Sequence, residues 1–324
     1  MTIRPGTTPL RARARPGRER GVFLGLALLV AVVVGACGTG TTPADGGATA
    51  GTLRVVTTTT ILADLVAQVG GAYVQVESIV PKGGEVHTFD PRPSNMRRLA
   101  QADVVFLNGL GLDDWLATLV TDSGTTARVV RLGENLPGVT YLAGTSKAGA
   151  TVNPHLWLDV SYAAKYVARI GETLAAADPA RATAYRDQAA AYGRTLADLD
   201  AEVRTRMATI PAANRTVISF HDAFPYFAAA YGLTIDGTIV DAPGQDPSAA
   251  QVGALIGVVR DKGVKAIFAE AQFNEALAQT IANETGARVV SSLYTDSTGN
   301  APKDTYVGMM RWNVAQVLQV LGAP

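Results

Sequence analysis

DPARATAYRDQAAAYGRTLADLDAEVRTRMATIP, residues 178–211, has the pattern of one long helix. Asp178 and Pro179 are typical of the first turn of a helix, and Pro211 marks its end. Between them, apolar side chains recur at helical spacing at Tyr185, Ala189, Tyr192, Leu196, Leu199, Val203, Met207 and Ile210. At about 1.5 Å per residue, a helix from Pro179 to Ile210 would be roughly 45 to 50 Å long. One small α/β lobe is narrower than that, so the pattern predicts a helix that spans two lobes.

Short β-branched runs alternate with helical patterns on both sides of this helix. Three runs precede it and four follow it: LRVVT (53–57), VQVESIV (74–80), DVVFLNG (103–109), TVISF (216–220), LTIDGTIV (233–240), KAIFAE (265–270) and ARVVSS (287–292). Strands that alternate with helices are typical of parallel sheets covered by helices. The predicted fold class is α/β, with two Rossmann-like lobes, each a parallel sheet flanked by helices, joined by one long rigid helix.

The first 36 residues have the composition of an export signal. Six arginines against one glutamate give them a net charge of +5, and the apolar run GVFLGLALLVAVVVG covers residues 21–35. This run is short for a membrane span of roughly 20 residues but suits a signal peptide. It ends in Val34-Gly35-Ala36-Cys37, which resembles the lipobox of bacterial lipoproteins. The resemblance implies cleavage before Cys37 and a lipid anchor on its thiol, and an ordinary signal with an incidental cysteine is the alternative.

The segment that follows Cys37 lacks large apolar side chains. It reads GTGTTPADGGATAG, residues 38–51, and is predicted to be a flexible tether. The predicted domains are a signal peptide (1–36), an anchor and tether (37–51), an N-terminal metal-binding lobe (52–178), a connecting helix (179–213) and a C-terminal metal-binding lobe (214–324). We expect an extracytoplasmic monomer that is anchored to the cell membrane by its lipidated cysteine.

The composition excludes several classes of function. The chain has 28 basic and 28 acidic residues, which does not suit a polybasic nucleic-acid binder. One cysteine can form neither an internal disulfide nor a cysteine-ligated zinc or iron–sulfur site. The sequence also has no HExxH or GxSxG motif. The chemistry must therefore use nitrogen and oxygen ligands, and no enzymatic activity is expected.

All three histidines of the chain lie near the end of a predicted strand or in a loop, with a carboxylate close in sequence. They are His87 in GGEVHTFDP, His155 in NPHLWLD and His221 in SFHDAF. Ligands of parallel α/β sheets bind outside the carboxyl ends of the strands, which is where His221 follows TVISF. A single loop histidine is usually only solvated or hydrogen-bonded. Three in similar positions indicate a metal site, because neutral imidazole is the commonest metal ligand.

The same segments resemble the zinc- and manganese-binding lipoprotein receptors of bacterial ABC importers. The similarity runs from about Leu53 to Leu321 and includes VVTTTTILADLVAQVGG, VPKGGEVHTFDPRPSNMRRLAQADVVFLNGLGLDDWL, NPHLWLD, SFHDAFPYFAAAYGL, IFAEAQF and SLYTDSTGNAPKDTYVGMMRWN. In that family the metal lies between the lobes, held by residues that match His87, His155, His221 and Asp296. The resemblance implies a receptor that passes a divalent metal to an ABC permease in the cytoplasmic membrane.

The ligand set implied by the resemblance favours Zn²⁺ as the transported cargo. Three imidazoles and one carboxylate suit tetrahedral zinc, whereas manganese prefers more oxygen ligands and a higher coordination number. Family members thought to prefer manganese usually replace the third histidine with glutamate, and here that position is His221. Mn²⁺ as cargo of the same kind of receptor is the alternative. A secreted zinc hydrolase, a siderophore receptor and an additional adhesin role are less favoured.

Two acidic residues near the histidines are not predicted to be ligands. Glu270 ends the predicted strand KAIFAE, and we expect it to orient one of the histidines. Glu85 lies two residues before His87, where the family often has Asp-Pro-His, so this loop is expected to be less stiff. Since histidine must be neutral to bind a metal, affinity is expected to fall as the pH drops through about 6.5.

Overall fold

The computed structural model describes residues 51–144, 152–240 and 243–322. The predicted signal peptide, Cys37 and nearly all of the predicted tether lie outside the described residues. The described chain forms two four-stranded sheets with α-helices packed around them. Within this part of the chain, no helix is both long and apolar enough to cross a membrane.

The N-terminal sheet is parallel throughout and has the strand order β2-β1-β3-β4. Its strands are β1 (Leu53–Thr57), β2 (Val74–Ser78), β3 (Val104–Leu107) and β4 (Arg128–Arg131), and its helices are α1 (Thr60–Gly70), α2 (Pro93–Ala100) and α3 (Asp114–Asp122). The edge strand β4 is not among the predicted strands. It is mostly exposed and has an arginine at each end, so its sequence lacks the apolar pattern of a buried strand.

The C-terminal sheet repeats this topology, with the parallel order β6-β5-β7-β8. Its strands are β5 (Thr216–Ser219), β6 (Thr234–Thr238), β7 (Ala266–Glu270) and β8 (Arg288–Leu293), and its helices are α6 (Pro225–Tyr231), α7 (Ala249–Asp261), α8 (Ala276–Thr285) and α9 (Tyr306–Leu321). Two parallel sheets flanked by helices confirm the predicted fold class.

Two long helices lie between the sheets in sequence, α4 (Val160–Ala177) and α5 (Ala182–Met207), and they pack along each other. Helix α5 also contacts α1 of the N-terminal half and α6 and α9 of the C-terminal half. Its buried face consists of Tyr185, Ala189, Tyr192, Leu196, Leu199, Val203 and Met207, as the apolar spacing predicts. The predicted long connecting helix is therefore confirmed.

This helix is shorter at both ends than the sequence predicts. Residues Pro179–Arg181 form a separate 3₁₀ turn, because the Asp178 carboxylate does not cap the α-helix. It accepts hydrogen bonds from the side chains of Arg181 (2.6 Å) and Tyr185 (3.1 Å) instead. At the other end, the guanidinium of Arg215 donates to backbone carbonyls between residues 207 and 210. The 26 residues of α5 span about 39 Å.

One hydrophobic core runs through both halves of the described chain. It includes Val55 and Phe106 of the N-terminal sheet, Leu196 of α5, and Val217 and Phe268 of the C-terminal sheet. A continuous apolar core resists separation of the sheets, because opening it would expose the buried side chains to water. The loops at the carboxyl ends of both sets of strands are thus held on one framework.

Candidate metal centre

The four side chains that the sequence predicts as ligands come from four separate segments. His87 lies in the loop after β2, and His155 immediately precedes a short 3₁₀ turn that leads into α4. His221 follows β5 by two residues, and Asp296 follows β8 by three. Parallel strands place their carboxyl ends on one edge of a sheet, so the loops that leave those ends meet there. The structure brings all four side chains together.

Each of these residues offers one ligand atom, and the four atoms lie within 4.8 Å of one another. Nε2 of His155 is 3.3 Å from Nε2 of His221 and 3.4 Å from Oδ1 of Asp296. Oδ2 of Asp296 is 3.6 Å from Nε2 of His221 and 3.7 Å from Nε2 of His87. Atoms bound to one zinc ion at about 2.0 to 2.1 Å in a tetrahedron are about 3.3 Å apart. The observed spacing is close to that value.

The cluster is largely closed to solvent. Asp296 is fully buried, His155 and His221 are almost fully buried, and the His87 side chain is 20% exposed. Within the described part of the chain, His87 Nε2 and Asp296 Oδ1 are buried and have no hydrogen-bond partner. A buried polar atom without a partner costs about 1–3 kcal/mol, and an ion bound among these atoms would remove that cost. Among the four side chains, His87 is the one that is partly exposed to solvent.

Neighbouring side chains fix the orientation of two imidazoles. Oδ1 of Asn153 lies 3.0 Å from Nδ1 of His155, and Oε1 of Glu270 lies 3.1 Å from Nδ1 of His221. With Nδ1 engaged in this way, Nε2 is the atom left to face a metal. Glu270 therefore has the position predicted for it, against a histidine and outside the group of candidate ligands. The sequence analysis did not identify Asn153, which lies two residues before His155 in the same segment.

The carboxylates and histidines change one another's affinity for protons. Burial would lower the pKa of His221, but the charge and hydrogen bond of Glu270, together with the charges of Asp296 and Glu85, outweigh it and raise that pKa to about 9. Burial lowers the pKa of His87 to about 3. Burial would raise the pKa of Asp296, yet the close contact with His155 and the charges of His155, His221 and His87 hold it well below its usual range. The centre thus favours an anionic Asp296 and a neutral His87.

Glu85 also belongs to the surroundings of the four candidate ligands, which the sequence does not predict. Its Oε1 accepts a hydrogen bond from the backbone N–H of His87 at 2.7 Å, and its Oε2 is buried without a partner. Burial and the Asp296 charge raise the pKa of Glu85 to about 7. Its position two residues before His87 is visible in the sequence, but the sequence indicates only a less stiff loop there and not this contact. The structure shows that Glu85 also holds the backbone of that loop.

The turn that carries Asp296 is held by the N-terminal half of the chain. The backbone N–H of Gly83 donates to Ser297 Oγ at 3.1 Å, and Trp157 Nε1 donates to the carbonyl of Thr295 at 2.7 Å. The N–H of Thr298 donates to Thr60 Oγ1 at 2.8 Å. The turn follows β8 of the C-terminal half but is held by the N-terminal half, so the position of Asp296 depends on both halves.

With this geometry in place, comparison with known proteins identifies the family. Residues 55–320 match the family model ZnuA, described as "Zinc-uptake complex component A periplasmic". The chain belongs to the ZnuA family. Its members are substrate-binding proteins, so the chain is a divalent-metal receptor of an ABC importer and not an enzyme. The alternative of a zinc hydrolase is wrong.

Individual relatives match over most of the chain. The manganese-binding lipoprotein MntA of Halalkalibacterium halodurans is 32% identical over 292 residues, which cover 89% of this chain and 94% of MntA. The iron ABC transporter substrate-binding lipoprotein MtsA of Streptococcus pyogenes serotype M6 is 28% identical, covering 94% of this chain and 99% of MtsA. The periplasmic zinc-binding protein TroA of Treponema pallidum superposes with a TM-score of 0.77 at 26% identity, covering 84% of this chain and all of TroA. These names include three different metals.

Proposed function

We propose that this protein captures Zn²⁺ between its two lobes and delivers it to the permease of an ABC importer. His87, His155, His221 and Asp296 are the proposed ligands. The observation that carries this proposal is the group of four candidate ligand atoms within 4.8 Å of one another, three of them imidazole nitrogens. The proposed site draws on both halves of the chain, so the bound ion acts as a cross-link between the lobes.

The composition of the site supports zinc as the cargo. A set of three nitrogen ligands and one oxygen ligand suits a four-coordinate zinc ion, whereas Mn²⁺ prefers six oxygen-rich positions. For a given nitrogen and oxygen site, intrinsic affinity also places zinc above manganese. Four protein ligands fill a tetrahedral shell and leave no open position for a reactive water, as expected for a site that carries an ion.

Mn²⁺ is the second candidate cargo, and one observation in the structure favours it. Oε2 of Glu85, two residues before His87, is buried and has no hydrogen-bond partner among the described residues, and a movement of this side chain toward the centre would add an oxygen ligand. The name of MntA, the manganese-binding relative, points the same way. A manganese site would need that oxygen or both oxygens of Asp296 to reach a higher coordination number.

We propose that the receptor works outside the cytoplasm as a monomer, held at the cell membrane by a lipid on Cys37. The arginine-rich start, the apolar run and the small residues before Cys37 support this location. The relatives MntA and MtsA are named as lipoproteins. A tether would let the folded part reach a permease in the same membrane.

Competition between the two metals tests the choice of cargo. The protein, purified without a metal-chelating tag and stripped with a chelator, is titrated with Zn²⁺ and with Mn²⁺, and bound metal is measured by mass spectrometry. We expect one zinc ion per chain that excess manganese does not displace. Displacement of zinc by equimolar manganese would make manganese the cargo, and no bound metal of either kind would refute the site.

A further inference from the structure

An open cavity of about 370 Å³ lies beside the proposed metal centre, in the C-terminal half of the chain. Its walls come from the segments that follow β5, β6 and β7 and from the first turn of α8. The residues that line it include Phe220, Val240, Asp246, Phe273, Asn274 and Leu277. Because parallel strands place their carboxyl ends at one edge of a sheet, the cavity lies at the same edge as the loops that carry His221 and Asp296.

Two stacked aromatic rings connect the cavity to the metal centre. The rings of Phe220 and Phe273 have centroids 4.8 Å apart and an angle of 13° between their planes. Phe273 also meets the imidazole of His221 in a T-shaped contact, with the centroids 5.4 Å apart. A group bound in the cavity would therefore contact a wall that packs directly against a proposed metal ligand.

The loop after β6 brings the cavity close to the N-terminal half as well. Gly244 lines the cavity, and a methyl group added to it would lie 2.9 Å from Cγ2 of Thr88. Thr88 directly follows His87 in the chain. The cavity is thus bordered by loops next to two of the proposed ligands, one from each half.

The exposed charges at this edge of the C-terminal sheet are all of one sign. In the described loops after β5, β6, β7 and β8, the exposed charged side chains are Asp246, Glu275 and Asp304. Lys303 in the same loops is half-buried, and its ammonium lies 4.3 Å from the centroid of the Trp312 ring. This edge therefore presents an acidic surface to a partner.

The N-terminal half has no such bias at the corresponding edge. In the described loops after β1, β2, β3 and β4, the exposed charged side chains are Lys82, Asp90 and Arg92, which include both signs. The acidic surface is therefore a local feature that surrounds the cavity, and it favours a basic partner through charge complementarity.

We propose that the cavity receives a basic side chain, arginine or lysine, from an extracytoplasmic loop of the ABC permease. The inference rests on the proposed function, because it names a contact between the receptor and the permease of that function. A long basic side chain fits both features of the cavity. Its apolar stem packs against Phe273 and Leu277, and its cationic head pairs with Asp246. Aromatic rings in the wall attract a cation further.

Reversal of charge at the cavity tests the inference. The full-length receptor is expressed in cells of the source organism that lack their own copy, and uptake of radioactive zinc is measured for the parent, Asp246→Lys and Glu275→Lys. Asp261→Lys, exposed at the opposite end of α7 from the cavity, is the matched control. Immunoblots of the membrane fraction check the amount of each variant. Zinc affinity and circular dichroism are measured on each purified protein.

A neutral block of the cavity provides a second variant. Ala276 lines the cavity and is exposed at the first position of α8, so Ala276→Trp would fill the cavity without changing a charge. Ala208→Trp, exposed at the end of α5, is its matched control. This variant also provides the test if Asp246→Lys does not fold.

We expect zinc uptake to fall by about tenfold or more in Asp246→Lys, because two like charges would then face each other across the contact. Ala276→Trp should lower uptake to a similar extent. Glu275→Lys should have a smaller effect, since Glu275 does not line the cavity. The purified variants should bind zinc as the parent does, and both control variants should restore uptake fully.

Three results would overturn the inference. They are full uptake in folded Asp246→Lys and Ala276→Trp, a loss of zinc affinity as large as the loss of uptake, and tight binding of free L-arginine to the purified parent that Ala276→Trp abolishes. The last result would assign the cavity to a soluble ligand. A parent that binds no zinc, or that does not restore uptake, would instead refute the proposed function. The two failures are distinguishable, because the parent alone decides the second.

Discussion

Nδ1 of His221 lies 3.1 Å from Oε1 of Glu270, and the two residues come from the ends of the neighbouring parallel strands β5 and β7. His155 has the neutral amide of Asn153 in the corresponding position. A carboxylate partner makes an imidazole more basic than an amide partner does, and therefore a stronger metal ligand. His221, which follows a strand of the C-terminal sheet, is therefore expected to be the stronger metal ligand of the two histidines.

Replacing Glu270 with glutamine tests this support. The Glu270→Gln side chain can still accept a hydrogen bond from His221, but it has no charge, so zinc affinity should fall by about tenfold or more. Competition against a fluorescent zinc chelator measures the change. Glu284→Gln, on the exposed end of α8, is the matched control and should leave affinity unaltered. Equal zinc affinities for Glu270→Gln and the parent would show that the charge of Glu270 does not strengthen His221 as a ligand.

Zinc affinity should depend on pH up to about 9, well above the value of about 6.5 that the sequence alone leads one to expect. The pKa of His221 in the metal-free protein is about 9, so this imidazole is protonated at neutral pH and must release a proton when it binds a metal. The affinity should therefore rise with pH by up to about tenfold per unit below that value. Calorimetry in two buffers with different ionisation enthalpies would measure the released proton. A flat affinity between about pH 6.5 and 8.5 would contradict a protonated His221.

The stability of the metal-free protein should also change over this range. The folded pKa of His221 lies above its ordinary value of 6.5, so its contribution is fully present below pH 6.5 and is lost as the pH rises through about 9. Urea unfolding with a chelator present, at pH 6 and pH 9, measures the loss. The His221→Gln variant should lose less stability than the parent between these two values, and equal losses would argue against the raised pKa.

Substitution of Leu196 tests whether both sheets depend on one hydrophobic core. This side chain is fully buried near the middle of α5, and Leu196→Ala should lower the free energy of unfolding by about 2 to 5 kcal/mol. Asp198→Ala, at an exposed position two residues further along the same helix, is the control. Because one hydrophobic cluster includes residues of both sheets, a single unfolding transition is expected. Two separate transitions in urea would show that the sheets unfold independently.

Substitution of Cys37 tests the proposed anchor. A serine at this position has no thiol to lipidate, so Cys37→Ser should be released from the membrane fraction. Fractionation of cells followed by immunoblotting measures the distribution, and incorporation of a labelled fatty acid should be lost at the same time. Membrane association that persists in Cys37→Ser, with no change in labelling, would refute the lipid anchor.

Much of the fold was predictable because its elements are regular. Strands packed on both faces give short β-branched runs, and all four strands of the C-terminal sheet were located in this way. The buried face of α5 was also predictable from helical spacing. The ends of α5 were not, because the carboxylate of Asp178 bonds to Arg181 and Tyr185 instead of capping the helix. Such a choice between partners depends on the folded chain.

Less of the candidate metal site than of the fold was predictable from the sequence. The scarcity of histidine and the resemblance to a family drew attention to the four candidate ligands, and the structure brings them together. Asn153 carries no comparable signal, since an amide in a loop is common and its partner is set by the tertiary structure. The proton affinity of His221 depends on Glu270, which is 49 residues away in sequence. The sequence therefore indicates the candidate ligands more clearly than it indicates the residues that orient them.

Anomalous diffraction from a crystal of the zinc-loaded protein tests the central claim most directly. Data collected above and below the zinc absorption edge locate the ion without reference to the expected site. The account predicts one strong peak among Nε2 of His87, His155 and His221 and the carboxylate of Asp296, with nitrogen and oxygen bonds of about 2.0 to 2.2 Å. A peak outside this group of atoms, or no peak at full zinc loading, would contradict it.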